Sequence, residues 1–353
     1  MTHAHGAPGA IRGLLLLLAA VAVGAVVAFV QRSPTTPQRV VTPAQPAPPA
    51  GPVQAIARVL HRPIDEMSGI ARSRVWDNVW WVHNDSGDSA RIFAIDGDGK
   101  VIIPPWLRGK FHGETAEPGK QEWPGIPVHV AANIDWEDIC VHDGQIWVAE
   151  TGNNGNGRRD LGLYVINEPN PLATDQLRPL VFYPVRYPGQ TTYPAAQWHF
   201  DCESLAIDPL TGTPYLITKH RAPGKINTPE AGANLYRLDT RFTDKENVLT
   251  KVDTRADMLL ATGADFSPDG RYLAVLCAMQ AWIFERPAAA ADGTADDRWL
   301  SHGKAWRLDL PVMMTKQAEA ICFDDNDTLR IANEQRDVFR VARAAFREVR
   351  DGE

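Results

Sequence analysis

Cysteine is scarce in this chain, four in 353 residues, and none forms the CxxC pair that a zinc ribbon or a thioredoxin-type redox site requires. The chain also lacks an HExxH helix, a Walker-type phosphate loop, a GxSxG elbow and a GxGxxG set between strand and helix. These absences exclude the common zinc proteases, P-loop enzymes, α/β-hydrolases and dinucleotide-binding enzymes. Long stretches of helical periodicity are missing as well. A basic excess is missing too. The first 52 residues contain Arg12, Arg32 and Arg39 but no acid, so the whole-chain charge of −7 becomes −10 for residues 53–353. That balance argues against nucleic acid and anionic surfaces as partners and in favour of cations.

One long hydrophobic run is present. Gly13 to Val30 is uncharged over 18 residues and flanked by Arg12 and Arg32. It reads as an uncleaved membrane anchor within residues 1–32, with a cleavable signal as the alternative, since Ala25 and Ala28 lie near its end. Either reading places the remainder outside the cytoplasm: at the cell membrane as a single-pass protein, or secreted if the segment is removed. Residues 33–52, with seven prolines, form a semi-extended linker. Residues 53–353 are left as one domain. The four cysteines sit in apolar strand-like contexts ("DIC", "DCESL", "AVLCAM", "AICF"), which read as buried free thiols rather than two disulfides.

The domain repeats itself. An acidic or hydroxyl residue precedes an apolar strand, then a turn and a second strand rich in aromatic or β-branched residues, as in "EDICVHDGQIWVAETG" and "ESLAIDPLTGTPYLITKH". The leading residues Ser68, Glu137, Glu203, Thr262 and Glu319 are 69, 66, 59 and 57 positions apart, room for four antiparallel strands each. The fold class is therefore all-β: a β-propeller of five blades, with six as the alternative if Val101 to Val130 hides irregular strands. The last copy is too short for an outer strand. "VQAIARVL" (Val53 to Leu60) is expected to supply it and close the ring.

The first strand of each propeller blade lines the central channel. The five leading residues should then form a ring of three carboxylates and two hydroxyls, a hard-oxygen set suited to Ca²⁺ and not to zinc. Two positions earlier, Glu66, Asp135 and Asp201 add a second acidic layer. Second strands end beside the starts of first strands, which brings Asn84, Asp85, Glu150, Asn153, Lys219, His220 and Glu334 to the same mouth. Lys219 and His220 are the cations there, fit to hold an anionic ligand or move protons. With Asp201 and Glu150 they are the candidate catalytic residues; Glu66, Asn84, Asp85, Asp135, Asn153 and Glu334 are candidate ligand contacts. Most tryptophans (Trp80, Trp81, Trp147, Trp282) read as blade packing, with Trp136 and Trp198, beside the acidic motifs, as exceptions.

The motifs "HNDSGD", "DWEDI…ETGNN", "DCESLAIDP" and "FSPDG" resemble exported bacterial β-propellers of the phytase-like and esterase-like group, over nearly the whole domain. The ring of three glutamates and two hydroxyls also resembles the central calcium site of calcium-dependent apyrases. The resemblance implies the propeller fold and calcium at Ser68, Glu137, Glu203, Thr262 and Glu319. Propeller phytases surround phosphate with several Lys and Arg, and this mouth offers fewer. Two functional readings stay open. One is a calcium-dependent hydrolase of phosphorylated or ester substrates. The other is a non-catalytic propeller that binds a small ligand or a protein at the cell surface.

Overall fold

Runs such as Pro214–Arg221 and Tyr272–Cys277 are buried at nearly every position. A strand apolar on both faces is stable only where neighbouring sheets cover both. In the computed structural model, which describes residues 51–349, five antiparallel sheets arranged around one axis meet that demand. Residues 1–32 and the linker as far as residue 50 lie outside the described residues. Among the described residues no helix is long and apolar enough to cross a membrane.

Blade 1 runs from Met67–Arg72 through Trp80–Asn84 and Arg91–Ile95 to Ile126–Pro127. Blade 2 comprises Trp136–His142, Gln145–Glu150, Gly162–Asn167 and Val181–Arg186, with Asn247–Val248 added in parallel at its rim. Blade 3 comprises Trp198–Ile207, Pro214–Arg221, Pro229–Arg237 and Thr250–Leu259. Blade 4 begins with Ala261–Phe266, Tyr272–Cys277 and Gln280–Glu285, and ends with Ala305–Asp309 and the short Arg347–Glu348. Blade 5 takes Ala318–Phe323, Thr328–Asn333 and Asp337–Ala342 from the chain's end and Val53–Arg58 from the domain's start. Val53 pairs with Val341 and Arg58 with Asp337, antiparallel, so the ring closes as expected. No sixth blade forms from Val101 to Val130. That stretch is a long connection within blade 1 carrying one 3₁₀ turn, a two-residue parallel bridge and the blade's outer strand.

The blades are held together by apolar layers. Because alternate side chains of a strand point to opposite faces, each middle strand serves both neighbours. Leu216 packs with blade 2's Trp147 and Leu163, while its neighbour Ile217 packs with blade 4's Val275 and Trp282. Similar layers join blade 4 to blade 5 and run across blades 5, 1 and 2. Cys140, Cys202, Cys277 and Cys322 are free thiols inside these layers. Trp80, Trp81, Trp147 and Trp282 are buried in them, and so is Trp136, whose indole N–H donates to the Ala132 carbonyl at 2.9 Å.

Candidate functional site: an acidic ring at the channel mouth

All five inner strands carry a register shift at the same place. Pairing skips Ser68 in blade 1, Glu137–Asp138 in blade 2, Glu203 in blade 3, Thr262 in blade 4 and Glu319 in blade 5. A bulge leaves its extra residue unpaired and re-aims the side chain. Five bulges at one level turn these side chains towards the axis together.

The hydroxyls tie adjacent blades: Ser68 Oγ donates to the Glu137 carbonyl at 2.9 Å and Thr262 Oγ1 to the Ala318 carbonyl at 3.1 Å. A hydroxyl that donates its hydrogen to protein keeps both lone pairs for a ligand. Below the ring, Asp138 is fully buried and crosses the channel. Its Oδ2 accepts the N–H groups of Leu205 (2.8 Å, blade 3) and Ala264 (3.1 Å, blade 4), and its Oδ1 accepts that of Ile139 at 2.8 Å. Burial pushes the Asp138 carboxyl well above the usual carboxylate range, opposed by those three N–H groups.

Two acidic groups converge at the mouth. Oxygens of Glu137, Asp201 and Glu203, all buried, lie within 4.8 Å of one another, as do those of Asp85, Asp135 and Glu137. Glu319 faces the same space from blade 5; its carboxyl is pushed up to about 7, first by burial and then by the charges of Glu334 and Asp85, against the pull of Lys219 and Arg221. Asp135 is pushed up to about 6 by burial, Asp85 and Asp201. Burial also raises Glu137 well above its ordinary value, with Asp201, Asp85 and Asp135 adding to the effect and Lys219 opposing it. Glu334, half-buried, is raised by burial, Asp85 and Glu66, whereas Glu66 itself is exposed.

Lys219 pairs directly across the blade 3 hairpin with Asp201, so the start of one strand and the end of the next meet at the mouth. Its ammonium rests on Glu203 Oε1 and lies 3.7 Å from Asp201 Oδ2, with the side chain almost fully buried. Two arginines complete a basic flank. Arg221 reaches Asp201 Oδ2 at 3.2 Å and bonds Asn154, and Arg158 meets Glu150 at 2.7 Å while donating to the Gly152 carbonyl.

The remaining expected residues divide by role. Glu150 accepts the backbone N–H groups of Ile134 and Asp135, and so holds the loop that presents Asp135. Asn153 donates its N–H to Asp201 Oδ1 at 2.7 Å and its side-chain amide to the Phe200 carbonyl; Asn84 anchors the segment at Pro63 and Asp65. His220 alternates with Lys219 along the strand and turns the other way. Its ring stacks on His199 at 3.8 Å, and burial, with His199 and Lys251 nearby, lowers its pKa to about 3.

Three participants were not picked out from the sequence: Arg158, Asp138 and Gly152. A Cβ on Gly152 would stand 2.1 Å from Glu137 Oε1 and 2.3 Å from the Asp135 carboxyl carbon, so only glycine leaves room for both carboxylates. The signal for Gly152 is the "ETGNN" turn beside the acidic layer; Arg158 follows it in the same loop.

The carboxylates give the site a defined pH response. Folded-state pKa values of about 6 and about 7 for Asp135 and Glu319 lie above those of the unfolded chain, so the cation-free fold binds more protons than the unfolded chain between them. Its stability should fall as pH rises through that window, by roughly 3 kcal/mol for Glu319 alone. A cation must displace the same protons. Its apparent affinity should rise about sixtyfold between about pH 5.5 and pH 7. Calcium titrations across that range check this; a flat profile would remove these two carboxyls from the site.

No family model and no curated protein sequence matches the chain. Among solved structures it is similar to a luciferin-regenerating enzyme, with 11% identity, a TM-score of 0.40 and coverage of 84% of this chain and 97% of that one. It is also similar to a protein from Thermus thermophilus assigned as an oxidoreductase (glucose dehydrogenase), with 10% identity, a TM-score of 0.42 and coverage of 82% and 99%. A third is a protein from Bacteroides uniformis assigned as a 6-phosphogluconolactonase, with 11% identity, a TM-score of 0.37 and coverage of 75% and 64%. Likenesses this distant carry no chemistry over to the present site.

Proposed function

We propose that this protein is an extracytoplasmic calcium-binding propeller, tethered at the cell membrane through residues 1–32, that hydrolyses phosphorylated or ester substrates at the channel mouth. The observation that carries the reading is the oxygen-only donor set at the ring, centred on Glu137, Asp201 and Glu203. Two features fit a cation. Asp201 Oδ2 is buried without a well-aligned hydrogen bond, meeting only the charges of Arg221 at 3.2 Å and Lys219 at 3.7 Å, and Gly152 keeps the Glu137–Asp135 space clear. Neither histidine nor cysteine belongs to either close group of carboxylates, which suits a hard ion. Glu137, Asp201 and Glu203 would hold it, with Glu319, Ser68 and Thr262 completing the ring.

Bound Ca²⁺ would supply Lewis-acid polarisation of a phosphoryl or acyl oxygen. The chain's own groups do the rest. Arg158 and Arg221 offer guanidinium groups to an anion beside the ring, in the fork geometry that suits phosphate and carboxylate. Asp135, at the mouth beside Glu137, is the carboxylate placed to accept a proton from water. Glu150 and Asn153 hold the loops that aim Asp135 and Asp201.

The test is a screen of the purified protein against phosphomonoesters, nucleotides and carboxylesters in Ca²⁺ or EGTA. Turnover of one class that EGTA abolishes is expected. A second reading, a non-catalytic receptor at the same face, is favoured by the use of Glu150, Asn84 and Asn153 in loop anchoring. It would show as calcium-dependent ligand binding without turnover.

A further inference from the structure

Among the described residues, Lys219 is the one lysine buried in the ring, with 6% of its surface exposed. Its ammonium contacts Glu203 and stands 3.7 Å from Asp201. It is also the strongest favourable charge acting on both Glu137 and Glu319. One side chain thus contacts two carboxylates of blade 3 and lends favourable charge to those of blades 2 and 5.

We propose that Lys219 is the ring's resident counter-ion, and that a divalent cation enters by exchanging with it. On exchange the ammonium moves outward to the mouth, where it binds the anionic ligand together with Arg221 and Arg158. The inference rests on the cation site proposed above and concerns how that site is regulated.

Three observations support exchange. Lys219 occupies the same carboxylates that a cation would use, and two positive charges cannot share them without strong repulsion. Its flexible four-carbon stem can swing without backbone movement. The side chain already reaches solvent at the mouth, with 8% of it exposed, two residues before the strand ends at Arg221. Asp201 would not be stranded, since Arg221 remains 3.2 Å from its Oδ2. Metal and anion binding are then coupled, each strengthening the other by the same factor. The cation-free protein holds its lysine inside and binds anions poorly.

Two measurements test the exchange, with Ca²⁺ alone as the probe. The first uses the unaltered full chain: lysines are acetylated with and without Ca²⁺ and quantified residue by residue by mass spectrometry, with exposed Lys245 as the internal control. Labelling at Lys219 should rise at least about fivefold with Ca²⁺, as burial gives way to exposure. Unchanged or reduced labelling overturns the proposal. The second is calorimetric titration of the Lys219→Met variant, which should bind Ca²⁺ about tenfold more tightly than the unaltered protein, or about 1.4 kcal/mol. Equal or weaker binding overturns the exchange but leaves the cation site standing. Absence of Ca²⁺ uptake by both proteins removes the site and the exchange together. If the variant does not fold, the labelling result decides alone.

Discussion

A chain that begins at His61, without the closing strand, is expected to melt at least about 10 °C below the intact protein, or to aggregate. Val53–Arg58 supplies the outer ladder of blade 5, and its loss uncovers Asp337–Ala342 as an unpaired edge. It also removes Val53 and Val59, both buried, and the Arg58–Asp337 ion pair at 2.5 Å. Two valines at roughly 1.5–3 kcal/mol each, with several ladder hydrogen bonds at about 1 kcal/mol, make a loss above about 5 kcal/mol. For a domain of this size each kcal/mol is worth about 2 °C. Exposed edges also template pairing between chains. Melting followed by circular dichroism, with elution volume from gel filtration, checks both. An unchanged melting point and monomeric elution would mean that the ring does not depend on strands from both ends.

Replacing Asp138 by alanine should be the most damaging single substitution near the axis. The carboxylate is the common acceptor for N–H groups on the inner strands of blades 2, 3 and 4, and it is wholly buried. Alanine leaves the N–H groups of Leu205 and Ala264 without partners, at roughly 1–3 kcal/mol each, and opens a void where three blades meet. A loss of about 4 kcal/mol is expected by urea denaturation. The substitution Asp138→Asn keeps an acceptor oxygen and should recover about half of that loss. Equal stability of Asp138→Ala and the unaltered chain would show that those amides find other partners.

Much of this architecture was legible in the sequence because repetition is visible without knowledge of packing. The spacing of Ser68, Glu137, Glu203, Thr262 and Glu319 counts the blades, and the orphan strand Val53–Arg58 matches the missing outer strand of the last copy. Hairpin geometry placed Lys219 opposite Asp201, as the pairing has it. What local pattern does not encode is direction. The five register shifts fall at the leading residues of the repeat, but nothing in the repeat shows that the ladder skips them. The triplet in "DWED" looks uniform, yet Asp135 and Glu137 face the mouth while Asp138, one residue on, crosses the channel beneath. Lys219 and His220 looked like a pair of mouth cations, but strand alternation sends His220 onto His199. Lys219 reads from sequence as a group for a ligand anion; burial against Glu203 makes it a counter-ion first. Trp136 lies within the acidic motif and is nevertheless core, edge-on to His83.

The most direct measurement of the central claim is the melting temperature of the protein in Ca²⁺ and in EGTA, with elemental analysis of bound metal. An ion that binds the folded ring and not the unfolded chain should add about 2.7 kcal/mol at a concentration about 100 times its Kd, raising the midpoint by about 5 °C. Glu203→Gln, which removes one oxygen of the buried trio, should shrink that gain. Identical midpoints in Ca²⁺ and EGTA, with no calcium in the purified protein, would contradict the account.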